Sequence, residues 1–281
     1  MLLGCEVRSH GYLAMSTSTV LITGGTSGIG RACALAFGRA GYQVAFTGRD
    51  EAKLADTARA LAAAGVAHLA VRADVGEEAA AERAVQETVA RFGRLDVLLN
   101  NAGISMRARF QDADLDVIKR LMQTNFFGTV FSTKFALPHL LASKGSIVGI
   151  SSIAGYRGLP GRTGYSASKF AMNGVLEALR TELLDQGVHV LTAAPGFTAS
   201  NIRQVALAAD GSSQGESPRD EGAMMSSETV ADEILRAVQQ RKRTLVLTGQ
   251  GKLTVFLNKW LPGLIDKLVL NHFRKEEKGV L

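Results

Sequence analysis

Thr23-Gly24-Gly25-Thr26-Ser27-Gly28-Ile29-Gly30 is the stretch on which the fold of this chain turns. An apolar run, Val20-Leu21-Ile22, leads into it, and a helical pattern over about 29–40 leaves it. Glycine accepts backbone angles closed to other residues and lets the main chain come close to a ligand. A strand that turns through glycines into a helix start offers free amides and the positive end of the helix dipole, which together suit a pyrophosphate. The spacing is Gly-x3-Gly-x-Gly, whereas the general dinucleotide fingerprint is Gly-x-Gly-x2-Gly, so the turn alone leaves a ligand-free strand–helix turn open.

Outward from this turn the same rhythm repeats. Apolar runs at Val44-Ala45-Phe46, Leu95-Asp96-Val97-Leu98-Leu99, Ile147-Val148-Gly149-Ile150, Val188-His189-Val190-Leu191 and Leu245-Val246-Leu247 alternate with Ala-rich helical stretches. The helices are expected over about 50–64, 77–92, 113–141, 166–186 and 229–241. Such alternation implies parallel strands covered on both faces, joined by right-handed crossovers. The expected fold is α/β: a Rossmann-type, doubly wound three-layer sandwich on a parallel sheet of about seven strands. Residues 1–18 read as a leader, 19–250 as the Rossmann-type catalytic domain and 251–281 as a helical extension. Within the domain, 197–227 reads as a long loop region, and 208–227, crowded with Asp, Gly, Ser, Gln and Glu around Pro218, as a mobile stretch of lid length.

Composition narrows the function. With 281 residues, 46% hydrophobic and 21% charged, the chain can bury one sizeable core, and disorder over most of it is excluded. The net charge of +6 is spread rather than gathered, which favours anionic ligands in general and gives no sign of nucleic acid. Cys5 and Cys33 lie far apart without metal-ligand spacing, so no disulfide framework or metal site is expected and a reducing, cytoplasmic setting follows. Glu6 and Arg8 interrupt the only candidate secretory run, and no segment approaches the roughly eighteen apolar residues of a membrane span. Met15 stands just before the first strand, so the first fourteen residues read as a leader or an upstream start.

The second chemical signal follows the strand that ends in Ser151-Ser152. Tyr165 and Lys169 lie four apart at the start of a long helix and so share one face. A phenol with its ordinary pKa near 10 is a sluggish base at neutral pH; a neighbouring ammonium is expected to lower it. A shift of about three units represents about 4 kcal/mol, feasible in a desolvated site. Ser152 could then hold the oxygen that Tyr165 protonates. Taken singly, a Tyr-x3-Lys pair is more often a solvated helix face.

Taken together, these motifs resemble the classical short-chain dehydrogenase/reductase family. The likeness rests on Thr-Gly-x3-Gly-x-Gly at 23–30, Asn100-Asn101-Ala102-Gly103, Asn125, the thirteen-residue interval from Ser152 to Tyr165, Tyr165-x3-Lys169 and Pro195-Gly196, in order over about 19–248. The resemblance implies Tyr165 as general acid/base and Ser152, preferred over Ser151 for that interval, as the residue that orients the substrate oxygen. Lys169 would bind the nicotinamide ribose and tune Tyr165, and Asn125 would hold a water in a proton relay. Gly24, Thr26, Ser27, Gly28, Ile29 and Gly30 would cradle the cofactor; Asp74 and Val75, after a third strand, would meet the adenine; Asn101, Ala102 and Gly103 would line the cleft; Pro195, Gly196 and Thr198 would close over the nicotinamide.

The end of the second strand, Phe46-Thr47-Gly48-Arg49, carries no acid to bind a ribose 2′-hydroxyl, and Arg49 stands where a 2′-phosphate partner would serve. Asp50 fits the N-cap of the next helix, and Arg31 is a second candidate cation. The expected cofactor is therefore NADP(H), and the expected activity is hydride transfer between NADPH and a small-molecule ketone or aldehyde, a lipid-like one among the candidates, running mainly toward reduction with alcohol oxidation as the reverse. A non-catalytic NADP(H)-binding sensor or scaffold is the rival. The substrate wall falls in the stretch through Ser200 and Arg203. Relatives of this kind form dimers or tetramers, so a homodimer or homotetramer is implied.

In the last thirty residues Leu253, Val255, Phe256, Leu257, Trp260, Leu261, Leu264, Ile265, Leu268, Val269 and Leu270 alternate with Lys252, Lys259, Lys267, Arg274, Lys275 and Lys278. Asp266, Glu276 and Glu277 leave a surplus of three positive charges, and Pro262 divides two helical stretches. This basic amphipathic pattern suits peripheral contact with a membrane surface or a partner; packing on its own domain or across a dimer suits it as well.

Overall fold

A computed structural model of the chain describes residues 17–196, 198, 202–215 and 224–276. The expectations on Cys5, Glu6, Arg8, Met15, Ser200, Pro218, Glu277 and Lys278 lie outside these residues. Seven strands form one sheet: β1 (Thr19–Ile22), β2 (Gln43–Gly48), β3 (His68–Arg72), β4 (Val97–Asn100), β5 (Ser146–Ile150), β6 (His189–Ala194) and β7 (Thr244–Val246). Their order is β3-β2-β1-β4-β5-β6-β7, and every pair is parallel. The order reverses beside β1, where β2 pairs on one flank and β4 on the other. In open sheets of this kind the crevice beyond the strand ends at the reversal is where ligands bind.

Alternate residues of each strand bury into opposite layers. Val20, Ile22, Phe46 and Val148 meet Phe37 of α1 (Gly28–Arg39), Leu61 of α2 (Glu51–Ala63) and Val230 and Ile234 of α7 (Ser227–Gln239). On the other side Leu21, Ala45, Leu98 and Ile147 meet Val85 of α3 (Glu78–Phe92), Leu140 of α5 (Gly128–Ser143) and Leu176 of α6 (Thr163–Glu182). Coverage of both faces explains why these strands read as continuous apolar runs. The edge strand β3 is only partly buried, and its short run Leu69-Ala70-Val71 stands between His68 and Arg72.

Two details position the site. A methyl group at Gly149 would lie 2.3 Å from Leu176 Cδ1, so α6 approaches β5 closely and carries Tyr165 and Lys169 over the strand's exit. The helix expected over 113–141 is α4 (Leu115–Leu121), a π-helical turn (Met122–Phe127) and α5. π turns of this kind often mark functional positions, and this one holds Asn125.

In the segment expected to be mobile, the described residues 208–215 meet the body of the domain: Asp114 N donates to Ala209 O at 2.9 Å, Arg120 Nη1 donates to Gly211 O at 3.0 Å, and Gln214 Nε2 donates to Arg107 O at 2.8 Å. The final helices, α8 (Gly249–Trp260) and α9 (Pro262–Glu276), pack on the chain's own Rossmann unit. Arg157 Nη1 donates to Asn258 Oδ1 at 3.1 Å, Asn258 Nδ2 donates to Tyr156 O at 3.1 Å, and Arg157 also pairs with Asp266. Among the described residues no helix is long and apolar enough to cross a membrane.

Candidate active site

A cleft of about 400 Å³ lies beyond the carboxyl ends of β1, β4 and β5. Its floor is the glycine turn. Gly24 has φ +66°, and a methyl there would lie 2.9 Å from Ala102 Cα. A methyl at Gly30 would lie 2.2 Å from Gly24 O, so Gly30 sits beneath the turn and supports it without lining the cleft. Ser27 precedes α1 in extended geometry, makes no capping bond, and no acid occupies the first turn. The opening amides of α1 therefore keep their positive field, as a phosphate requires. Gly24, Thr26, Ser27, Gly28 and Ile29 line the cleft above them.

Asn101 locks the turn to β4. Its Nδ2 donates to Thr23 O at 3.0 Å and Gly24 O at 2.9 Å, while Thr23 Oγ1 accepts from the amides of Asn101 and Ala102 at 3.0 and 3.1 Å. Asn101, Ala102, Gly103, Asp74, Val75, Pro195, Gly196 and Thr198 all line the cleft. Asp74 Oδ1 accepts from Gly76 N at 3.0 Å, and its other oxygen pairs with Arg49 Nη1 at 3.4 Å. Asp50 caps α2, accepting from Lys53 N at 3.1 Å. Arg31 differs from expectation: it leans across to Asp56 at 3.4 Å and does not line the cleft. Beside Arg49 at this end of the cleft the wall carries Lys53, three residues past the cap.

At the other end of the cleft Ser151, Ser152, Tyr165 and Lys169 come together. Ser151 Oγ is buried under Gly155, while Ser152 begins a short 3-10 turn and faces the cleft, its hydroxyl accepting from Ala154 N at 3.2 Å. Tyr165 stands close enough to Ser152 for that hydroxyl to pull its pKa down, and Lys169 Nζ lies 5.9 Å from the Tyr165 ring centroid. Lys169 donates to Ile150 O at 2.8 Å, and burial pushes its pKa down to about 8. The expected lowering of the phenol pKa by Lys169 is not what this environment produces. Burial raises it, against the opposing Ser152 hydrogen bond and the charge of Arg162, because desolvating a phenolate outweighs both. Arg162, three residues before Tyr165, escaped the motif reading.

Asn125 stands behind this group, fully buried. Its Oδ1 accepts from Ile104 N at 2.8 Å; its Nδ2 donates to Ile104 O and to Ser168 Oγ, each at 2.9 Å. Both amide hydrogens are thus used within the protein, and the side chain holds the loop that carries Gly103 and Ile104 over Lys169. Ser168 Oγ in turn donates to Tyr165 O at 2.8 Å. Ile202, Arg203, Val205 and Phe273 also line the cleft. Phe273 comes from α9, more than a hundred residues beyond Tyr165, and no local spacing announces it.

A glycine cradle at the sheet's reversal, facing a buried Tyr–Lys pair with a serine hydroxyl, defines an oxidoreductase that uses a nicotinamide dinucleotide. Comparison with known proteins agrees: the family model described as short chain dehydrogenase matches residues 18–210. The mouse protein "Dehydrogenase/reductase SDR family member 7B" is 36% identical over 280 residues, covering 98% of this chain and 86% of that one. The Arabidopsis thaliana "11-beta-hydroxysteroid dehydrogenase-like 4A" is 44% identical over 168 residues, 58% of this chain and 56% of its own length. Among solved structures, a short chain dehydrogenase/reductase from Burkholderia phymatum in complex with NAD superposes with TM-score 0.80 at 23% identity, covering 89% of this chain and 95% of that one. An alcohol dehydrogenase from Thermococcus sibiricus complexed with 5-hydroxy-NADP gives 0.72 at 23% identity, with coverage of 82% and 96%. The chain belongs to the short-chain dehydrogenase/reductase family.

Proposed function

We propose that this protein is an NADP(H)-dependent carbonyl reductase, working mainly toward the alcohol and able to run in reverse as an alcohol dehydrogenase. One observation carries the reading: Ser152, Tyr165 and Lys169 stand together on the cleft whose far end is the glycine cradle. The glycine turn, Asn101 and Lys169 would hold a nicotinamide dinucleotide, which when bound would supply a hydride to the carbonyl carbon of a ketone or aldehyde. Ser152 spends an acceptor site on Ala154 N, and its single O–H, directed at the Tyr165 oxygen without substrate, can turn to the carbonyl oxygen. As charge gathers on that oxygen, Tyr165 gives up its proton to it, and solvent later restores the proton. Burial holds the phenol protonated, the form that reduction needs. The Lys169 ammonium and the Arg162 guanidinium steady the phenolate left behind. Carbonyl, hydride and proton together make the alcohol.

NADP(H) is favoured by the tip of β2, where Arg49 follows Gly48 and Asp50 is engaged as a cap. The Arg49–Asp74 pair is exposed, and such pairs are worth about 0–1 kcal/mol, so a 2′-phosphate can recruit Arg49, with Lys53 on the same wall. Fluorescence titration with NADPH and NADH, then NADPH oxidation against a panel of ketones and aldehydes, tests the reading. Tyr165→Phe is expected to abolish turnover and leave NADPH binding nearly intact; a variant that keeps most of its activity removes Tyr165 from the mechanism. Tight binding without turnover of any panel member favours a non-catalytic NADP(H)-binding role.

A second observation suits attachment to an anionic lipid surface. Phe256 and Trp260, four apart on α8, are 61% and 73% exposed, with Lys252 and Lys259 exposed beside them. The full-length chain is expected to float with phosphatidylserine vesicles; failure to float ends this reading.

A further inference from the structure

We infer that a chamber beneath the α8–α9 hairpin receives the apolar tail of the substrate, so that the compounds reduced here are ketones or aldehydes bearing a long apolar chain. The inference rests on the reductase reading and deepens it. A space of about 340 Å³ adjoins the cofactor cleft and shares Ser152, Leu159, Pro195, Gly196 and Phe273 with it. Any group extending from a carbonyl held at Ser152 has this chamber for a neighbour. Its walls are Ile153 from the turn after β5, Leu257 from α8, and Ile265 and Val269 from α9. Among the described residues no charged side chain lines it.

Protein interiors close-pack, and voids larger than a water molecule are few. This one is held open by a fixed frame. Asn258 and Asp266 tie the hairpin to Tyr156 and Arg157, Thr248 caps α8 by accepting from Gly251 N at 3.1 Å, and Gly251 lets α8 meet Ile153, where a methyl would come within 2.9 Å. The volume lies at the lower end of ligand pockets, roughly 300–1,000 Å³, and the polar side chains on its wall are Ser152, Thr248, Gln250 and Thr254. Leu253 and Leu268, 57% and 51% exposed, form a rim on the outer side, so a chain longer than the chamber can emerge between the helices.

The test is a series of linear methyl ketones, 2-butanone through 2-decanone, with saturating NADPH, in the wild type and in Leu257→Trp and Val269→Trp. Each buried methylene is expected to raise kcat/KM about two- to fourfold. Either tryptophan should flatten the series while leaving 2-butanone within about twofold of wild type and NADPH binding unchanged. Having two variants on different helices guards against one misfolded protein. Calorimetric binding of 2-decanone against 2-butanone to the protein with NADP+ reads the chamber without turnover. If both ketones are reduced equally well, or the tryptophans leave a steep series untouched, the chamber is not the tail site although the reductase stands. If neither ketone is reduced but 2-decanone binds more tightly and Leu257→Trp abolishes the difference, the chamber stands and the reductase reading falls. Equal binding of both ketones without turnover overturns both.

Discussion

Replacing Asn125 by alanine separates a structural role for this residue from a chemical one. The side chain makes three hydrogen bonds, at 2.8, 2.9 and 2.9 Å, to both main-chain groups of Ile104 and to Ser168. Truncation strips the Ile104 amide and carbonyl of their partner. An unsatisfied buried polar group costs about 1–3 kcal/mol, and Ile104 is only partly buried, so the lower half of that range applies to each. The total is about 2–4 kcal/mol. For a chain of this size each kcal/mol lowers Tm by about 2–4 °C, giving an expected drop of about 5–15 °C by differential scanning calorimetry. Loosening the loop at Gly103 and Ile104 should also weaken NADPH binding about tenfold, a cost of about 1.4 kcal/mol. A variant with Tm within about 2 °C of wild type and a large fall in kcat alone would refute this reasoning and put Asn125 in the proton path itself.

Two further outcomes follow from the charged groups. Lys169 carries a pKa of about 8 against an ordinary 10.5, so kcat/KM for NADPH, which reports the free enzyme, should decline above about pH 8 as the ammonium is lost. Between these two values the unfolded chain binds a proton the native state does not, so this group's contribution to stability rises with pH across that window. A flat rate profile across pH about 7–10 would show that Lys169 does not titrate there. Arg49→Ala should weaken NADPH binding about 10- to 100-fold, the worth of a charge-assisted hydrogen bond or two, and change NADH binding less than about twofold. Equal losses for both nucleotides would show that Arg49 does not read the 2′-phosphate.

What the sequence disclosed and what it hid divide along physical lines. The glycine turn and the apolar runs of β1, β4 and β5 were legible because both-sided burial writes itself into contiguous residues. The edge strand β3 entered only as the third strand before Asp74, since its short Leu69-Ala70-Val71 run is partly exposed and flanked by His68 and Arg72. Tyr165 and Lys169 were legible as a pair because i and i+4 share a helix face. The balance of forces on the phenol was not: burial and Arg162 belong to the folded surroundings, and only the first is strong enough to set the sign. Arg31 was read toward the phosphate from its place after Gly30, yet α2 presents Asp56 to it. The choice between Ser151 and Ser152 turns on a one-residue rotation as the chain leaves β5. The chamber needs α9 folded back over the Ser152 turn, a contact no local pattern encodes.

The reversal of strand order has a consequence for how the enzyme is made. Thr19 and Asp96 exchange hydrogen bonds across 77 positions of chain, Thr19 N to Asp96 Oδ2 at 2.8 Å and Asp96 N to Thr19 O at 2.9 Å. Asp96 O then accepts from Ser146 N at 2.8 Å. Until β4 docks beside β1, Asn101 cannot reach the glycine turn, and the cradle is incomplete. Partly assembled chains therefore offer the nucleotide no site, whereas a hundredfold excess over Kd stabilises the finished sheet by about 2.7 kcal/mol. Long-range pairings of this kind form slowly. A dinucleotide that needs Asn101 against the glycine turn therefore stabilises the sheet only once β4 lies beside β1.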